Sequence, residues 1–377
     1  MPHPSAPAPS RRLRVALYAD DSRHLGPACR SKAIADALAT MTPAPETLVF
    51  ARAAETAALH YPPGCELRRL GAGPGRAARE LAAALRAFAP DVLIVDRRPD
   101  GAEGELAAAL DVLRRSGRTK IVLGLLDVME DPARAAVEWA RVRGCTALRR
   151  WYDAVWVYGD RGVADPVVGL GLPPDLRPLV SSVGYLGRSG ALPPGPPVTP
   201  ADSYVLGLLS GAGDAEQARA FAAMPLPSGV RGLLVTGSRL PAAARSEIHR
   251  LAAGREDMTV LGFVSDPGPW LDGAAAVVTT GGYGAVCEAL GRRSPLLVLP
   301  RSRVEEERVR ALRLAEAGAA DALRPGTATA GRLGAWGAGV VRGGGPVPEA
   351  VDVGGLSRIA HLVCDIAGAR DRAPARA

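Results

Sequence analysis

Residues 276–300, AVVTTGGYGAVCEALGRRSPLLVLP, read as strand, glycine turn, helix and strand in immediate succession. The apolar run 276–278 is short and β-branched, as a buried parallel strand should be. Gly281, Gly282 and Gly284 leave no Cβ in the turn, 285–290 forms a helix, and 296–299 is a second buried strand. Two buried strands joined through a helix must lie parallel in one sheet, which restricts the chain to α/β architectures. A helix that starts beside a glycine turn is also an anion site, because its free N–H groups and its dipole point the same way. Glu288, one turn into the helix, stands where a sugar hydroxyl near that anion could be bonded.

The same alternation runs through the rest of the chain. Strands are expected at 13–18, 47–50, 66–70, 91–96, 120–127, 154–158 and 179–183, and helices at 29–38, 77–88, 104–114 and 132–143. The stretch 192–200, LPPGPPVTP, cannot join a central ladder and reads as a linker. The pattern then restarts with strands at 204–209, 232–235 and 259–263 and helices at 215–222, 242–253, near Trp270, at 305–317 and at 356–367. The glycine-rich stretch 331–345 is expected to be irregular. Two Rossmann-like domains follow, 11–191 and 201–368, with ligands expected at the carboxyl ends of their strands.

Composition removes several alternatives. A chain of 377 residues is long enough for two ordinary domains. No apolar run reaches the ~18 residues of a membrane span. The first ten residues lack a signal-peptide core and are read, like 369–377, as a lead-in without structure. Five widely spaced cysteines have no metal-ligand spacing and fit reduced thiols in a cytoplasm. The net charge of +7 comes from scattered arginines, and only Lys32 and Lys120 are lysines. With 4% aromatics there is no basic run interleaved with rings, so nucleic acid is not an expected partner. Peripheral contact with a membrane surface stays open. No P-loop lysine, nucleophilic triad or zinc spacing is visible.

The motifs of the second half are Gly281-Gly282-Tyr283-Gly284-Ala285-Val286-Cys287-Glu288-Ala289-Leu290, then 295–301 (PLLVLPR), then 306–311 (EERVRA). In this order they resemble the two-domain GT-B glycosyltransferases. The likeness points in particular to predicted bacterial glycosyltransferases related to the enzyme that adds N-acetylglucosamine to lipid-linked muramyl-pentapeptide. Residues 94–96, 104–106, 124–128 and 152–159 of the first half also fit that group. The resemblance implies two Rossmann-like domains facing each other across a cleft, and a nucleotide-sugar donor held mainly by the second. By the same likeness Gly281, Gly282, Tyr283 and Gly284 belong to the turn at the diphosphate, and Glu288 to the ribose. Phe263 and Val264 stand at the base edge, and Glu306 and Glu307 at the donor sugar. Ser210, Gly211 and Gly213, with Gly237 and Ser238, stand in loops near the phosphates. No cofactor or metal is implied; a UDP- or TDP-linked sugar is the co-substrate.

The chain departs from this pattern after its first strand. Relatives carry Gly-Leu-Gly-His there, whereas this chain has His24-Leu25-Gly26-Pro27, so the histidine position is Pro27. Three readings follow. His24 replaces the lost histidine; or a carboxylate among Asp20, Asp21 and Asp127 is the base; or the chain no longer transfers a sugar. Asp96 and Asp127 end strands, and Asp96 and Asp20 are acceptor-side candidates. Glu105 is read as part of a helix's first turn. The expected activity is metal-independent, inverting transfer to a small molecule, such as an antibiotic scaffold, or to a lipid-linked acceptor. A sugar-nucleotide epimerase or hydrolase on the same fold, or an auxiliary binding protein, is the alternative.

Overall fold

A computed structural model describes residues 11–19, 25–129, 132–188, 203–209, 211, 213–237, 239–264, 266–343 and 351–368. Its first elements are β1 (Arg14–Tyr18), α1 (Gly26–Ala39), β2 (Glu46–Ala51), β3 (Cys65–Arg69), α2 (Pro74–Phe88), β4 (Val92–Asp96) and α3 (Ala107–Ser116). They continue with β5 (Lys120–Leu126), α4 (Pro132–Arg141), α5 (Gly144–Trp151), β6 (Ala154–Tyr158), α6 (Pro166–Gly169) and β7 (Val180–Ser182). The strands line up as β3-β2-β1-β4-β5-β6-β7. Every pairing from β3 to β5 is parallel, with Val15 to Tyr18 opposite Val92 to Val95. These strands are nearly continuous apolar runs because both faces are covered: Val15, Ala16, Val92 and Leu93 are wholly buried.

The later elements are β8 (Ser203–Leu208), α7 (Ala215–Ala222), β9 (Val230–Val235), α8 (Ala242–Ala253), β10 (Met258–Leu261), α9 (Gly268–Asp272) and β11 (Ala274–Thr279). After them come α10 (Tyr283–Gly291), β12 (Leu296–Val298), α11 (Glu305–Glu316), β13 (Asp321–Ala322), α12 (Ala330–Val341) and α13 (Gly355–Gly368). The sheet order is β10-β9-β8-β11-β12-β13, parallel throughout. One face carries a core in which Phe221, Ile248 and Leu333 meet Val205, Leu234, Val278 and Leu297. The fold class expected from the alternation, α/β with two parallel sheets, is the one observed.

By contacts the chain groups into two compact units. One comprises Met1–Gly124, Val142–Val155 and Ile359–Ala377; the other comprises Leu125–Arg141 and Trp156–Arg358. The whole six-stranded sheet, and Asp127 just after β5, belong to the second unit. The linker expected at 192–200 lies outside the described residues.

One expectation fails for an identifiable reason. The described part of the stretch 331–345 is not irregular: through Val341 it belongs to α12, whose N-terminus is capped by the Thr329 hydroxyl accepting from the Arg332 N–H. Its glycines serve close approach, since a Cβ on Gly334 would lie 2.5 Å from Pro225 Cγ. The helix expected at 132–143 is α4, which ends at Arg141; past Arg143, with its left-handed φ of 49°, the chain forms α5, a helix that was not expected. None of the five cysteines is in a disulfide. Among the described residues no helix is long and apolar enough to cross a membrane.

Candidate functional site

In the six-stranded sheet the chain leaves β8 toward β9 and β10, while β11 leads to β12 and β13 on the other side. The direction of winding therefore reverses between β8 and β11, and the loops at their carboxyl ends diverge to leave a crevice. Gly211, Gly213 and Asp214 flank it from β8, Thr280 to Gly282 from β11, and Arg301 from β12.

The turn after β11 needs its glycines for separate reasons. Gly281 has φ of 94°, and a Cβ there would come within 2.8 Å of Val298 Cγ1. Gly282 is the N-cap residue of α10 and has no side chain to cap it. Beside Gly284 there is open space, with no heavy atom within 4 Å of an added Cβ. The first turn of α10 thus offers backbone N–H groups without a side-chain cap, next to free volume, which suits an anion.

Arg301 joins the loops. Its Nε donates to Glu307 Oε2 at 2.9 Å, its second nitrogen donates to Glu307 Oε1, and its backbone N–H reaches Glu307 Oε2 at 3.2 Å. The remaining guanidinium nitrogen lies 3.3 Å from Asp214 Oδ1, and Asp214 Oδ2 accepts from the Gly211 N–H at 2.6 Å. That Oδ1 contact is within ion-pair distance but lacks hydrogen-bond geometry, so Asp214 Oδ1 is a buried acceptor without a hydrogen bond. Asp214 and Glu307 are almost fully enclosed, while the Arg301 side chain keeps 27% exposure. Burial raises both carboxyls above their ordinary values, and Arg301 pulls them back only in part. For Arg301 itself burial would lower the pKa, but Glu307 and Asp214 outweigh it and the group stays charged. One arginine therefore serves two carboxyls with raised proton affinity.

The other expected donor residues are placed as follows. Gly213 lies against Arg301, where a Cβ would sit 3.4 Å from its Cδ, and Gly237 follows β9 with φ of 66°. Phe263, after β10, exposes 48% of its surface, and Val264 is half-buried. Glu306 accepts from Arg310 at 2.9 Å. Glu288 is drawn between two arginines, accepting from Arg188 Nε and from Arg292, each at 2.6 Å, and Arg188 continues to Asp266 at 2.8 Å. Two oxygens carry about four acceptor positions, so a ribose hydroxyl would share Glu288 with these cations. The ring of Tyr283 is turned inward: it lies 5.5 Å from the Arg310 guanidinium, and its hydroxyl accepts from the Leu186 N–H. What Tyr283 contributes to the turn is its backbone. Ser210 and Ser238 lie outside the described residues.

On the first sheet, winding reverses between β1 and β4. Asp20, Asp21 and His24 lie outside the described residues. Pro27 stands in the first turn of α1 and is buried, a position suited to its fixed φ and missing N–H. Asp96 is buried and held by Arg30 through two bonds of 2.8 and 3.1 Å. Glu105 is not in a helix's first turn, because α3 begins at Ala107. It is buried instead, accepting from the Tyr18 hydroxyl at 2.5 Å and from Arg52 at 2.6 Å. Asp127, one of the base candidates, is fully enclosed. Arg310 donates to both its oxygens and the Tyr185 hydroxyl adds a bond of 2.8 Å, so in this state it is a strut and not a carboxylate open to a substrate.

Arg301 and Arg310 stand inside the sequence motifs and have near partners in Glu307 and Glu306, but their bonds to Asp214 and Asp127 come from distant loops and leave no local signal.

No family model matches the sequence, and no curated protein matches it. Solved structures do. A Listeria monocytogenes protein described as a candidate UDP-N-acetylglucosamine 2-epimerase is 14% identical, with 97% of this chain and 98% of that one covered and a TM-score of 0.63. UGT71G1 of Medicago truncatula, solved with UDP-glucose, is 14% identical over 95% and 99%, with a TM-score of 0.61. The calicheamicin glycosyltransferase CalG4 is 16% identical over 95% and 99%, with a TM-score of 0.60. At such identity the likeness establishes the fold alone: two parallel α/β sheets in the GT-B arrangement of elements, shared by glycosyltransferases and by a candidate sugar-nucleotide epimerase.

Proposed function

We propose that the chain binds a nucleoside-diphosphate sugar at the carboxyl ends of β8 and β11 and transfers the sugar to an acceptor hydroxyl. The observation that carries this reading is the uncapped first turn of α10, open at Gly284, at the point where the sheet reverses its winding, with Arg301 beside it. The diphosphate takes the N–H groups of that turn and the exposed edge of Arg301. Glu288 takes the ribose, and Glu306 and Glu307 stand toward the sugar. In the reaction the acceptor oxygen forms a bond to the anomeric carbon, the bond to the phosphate oxygen breaks, and the diphosphate leaves with the electron pair. The helix N-terminus and Arg301 stabilise the charge that develops there. The acceptor's proton goes to a base for which His24 and Asp21 are the candidates, with Asp20 and Asp96 on the acceptor side. The donor is a UDP- or TDP-linked hexose, the transfer is metal-independent and inverting, and the acceptor is a small natural-product scaffold or a lipid-linked molecule. Residues 11–191 form the acceptor half and 201–368 the donor half.

A second reading is supported by Pro27. With no imidazole in that helix turn, a donor-only reaction, epimerisation or hydrolysis of the sugar nucleotide, suits the same donor site, and the candidate epimerase fold agrees with it.

Thermal-shift titration with UDP, TDP and GDP tests the shared part. A nucleotide at a hundred times its Kd stabilises the folded state by about 2.7 kcal/mol; no shift with any of the three removes the reading. Product analysis with donor alone then separates the two chemistries, since transfer requires an acceptor and epimerisation does not. Replacing His24 with Ala leaves Asp21 as the base if turnover is unchanged.

A further inference from the structure

We infer that Arg310 is a positioning residue that aims the Gly282 N–H at the bound diphosphate, an inference that rests on the nucleotide-binding reading above. Arg310 is completely buried, and its guanidinium spans three elements. Its Nε and one terminal nitrogen grip Asp127, just after β5, in four-atom fashion at 2.8 to 3.2 Å. The same terminal nitrogen reaches Glu306 on its own helix, and the other donates to the Gly281 carbonyl at 2.9 Å. Tyr283 covers the cation, and the Tyr185 hydroxyl donates a further bond to Asp127. Room for this carboxylate is made by Gly159, where a Cβ would stand 2.5 Å from Asp127 Cβ.

A fully buried ion pair is seldom more stable than apolar packing of equal volume, so its worth is to be sought in what it orients. The group it orients here is the peptide between Gly281 and Gly282. In a planar trans peptide the N–H points opposite to the C=O. With the Gly281 carbonyl held by Arg310, the Gly282 N–H must point away from Arg310. Glycine on both sides makes this peptide easy to flip, because neither residue resists positive φ. A flip would turn a carbonyl oxygen toward an anion. Arg310 removes that alternative.

The test combines three variants with isothermal titration of UDP and TDP, at a temperature where circular dichroism shows each variant folded. Arg310→Lys keeps a cation for Asp127 but lacks the fork that also reaches Gly281; it should weaken binding about tenfold, the worth of one charged hydrogen bond. Leu314→Ala, on the same helix and fully buried, should lower the melting temperature at least as much and leave the Kd within about twofold. Gly282→Ala disfavours the flipped state, since its φ of −58° suits alanine; added to Arg310→Lys it should recover most of the lost affinity. Should Arg310→Lys not fold, Tyr185→Phe, which removes one support of Asp127, should still weaken binding, and Gly282→Ala should again restore it. Binding unchanged in Arg310→Lys, equal loss in Leu314→Ala, or no recovery with Gly282→Ala overturns the inference while wild-type binding upholds the site. A wild type that binds neither nucleotide removes both.

Discussion

The two sheets reverse their winding in the same way, yet the chain treats the two crevices differently. At the reversal of the first sheet the buried carboxylates are taken up by neighbouring donors. Glu105 takes Tyr18, Arg52 and the Glu103 N–H, and Asp96 takes both prongs of Arg30. Burial alone would raise the Glu105 carboxyl, but these bonds outweigh it and hold the group below its ordinary value. At the second reversal Arg301 is divided between Asp214 and Glu307, both carboxyls are raised, and a helix starts uncapped beside open space. The same topology makes a crevice in both places; whether it is a binding site depends on whether the chain spends its polar groups on itself.

The largest effect expected from this contrast is at Glu105. Glu105→Ala leaves Arg52 charged and partly buried, because guanidinium cannot shed its proton, and should cost about 3 kcal/mol or more in chemical denaturation. Nucleotide affinity should be unaffected, and a small stability loss would mean that the first crevice is not locked. Arg301→Ala should reverse the ranking. Its carboxyl partners already have raised proton affinity and can take up protons, so the stability cost should stay near 1–2 kcal/mol. UDP or TDP affinity should fall about tenfold or more; unchanged affinity would take Arg301 out of the site.

Two glycines of one turn should part company next. Gly281→Ala meets both a positive φ and Val298, and should cost roughly 1–3 kcal/mol. Gly284→Ala meets nothing and adds helix propensity, so the fold should gain about 0.5–1 kcal/mol. If the open space belongs to a ligand, nucleotide binding should weaken in that stabilised variant. A stabilised variant with full affinity would show the space to be idle.

The smallest effect is in pH. A carboxyl whose folded pKa is raised contributes stability that is present below its unfolded value and lost as pH rises through the folded one. Asp214 and Glu307 should therefore make the fold less stable as pH climbs above the ordinary carboxylate range. Glu105, with a lowered value, acts in the opposite sense and loses its contribution as pH falls. Denaturation across pH 4 to 8 with Asp214→Asn and Glu307→Gln should give flatter profiles than wild type; a steeper one contradicts the assignment.

Much of this was legible in the chain. Apolar runs and helical spacing located the strands of both sheets except the two-residue β13, because secondary structure is bonded within a few residues and leaves a local period. The glycine turn was legible for the same reason. The helix α12 was missed because its glycines read as a break, when they are contact points that let the helix approach Pro225. Glu105 and Asp127 were misjudged because a carboxylate near a strand end looks the same whether it faces solvent or a buried arginine.

By itself, then, the sequence determined two parallel α/β sheets, the order of their elements, and a glycine turn feeding a helix at 281–284. Tertiary structure alone decided which charges meet. Arg310 finds Asp127 across 183 residues and Arg188 finds Glu288 across 100. An ion pair has no sequence period, because it is set by the distance between two charges in the folded chain and not by their spacing along it. The arginine grip on the glycine turn, and the single arginine shared by Asp214 and Glu307, could therefore be read only after the strands had brought their ends together.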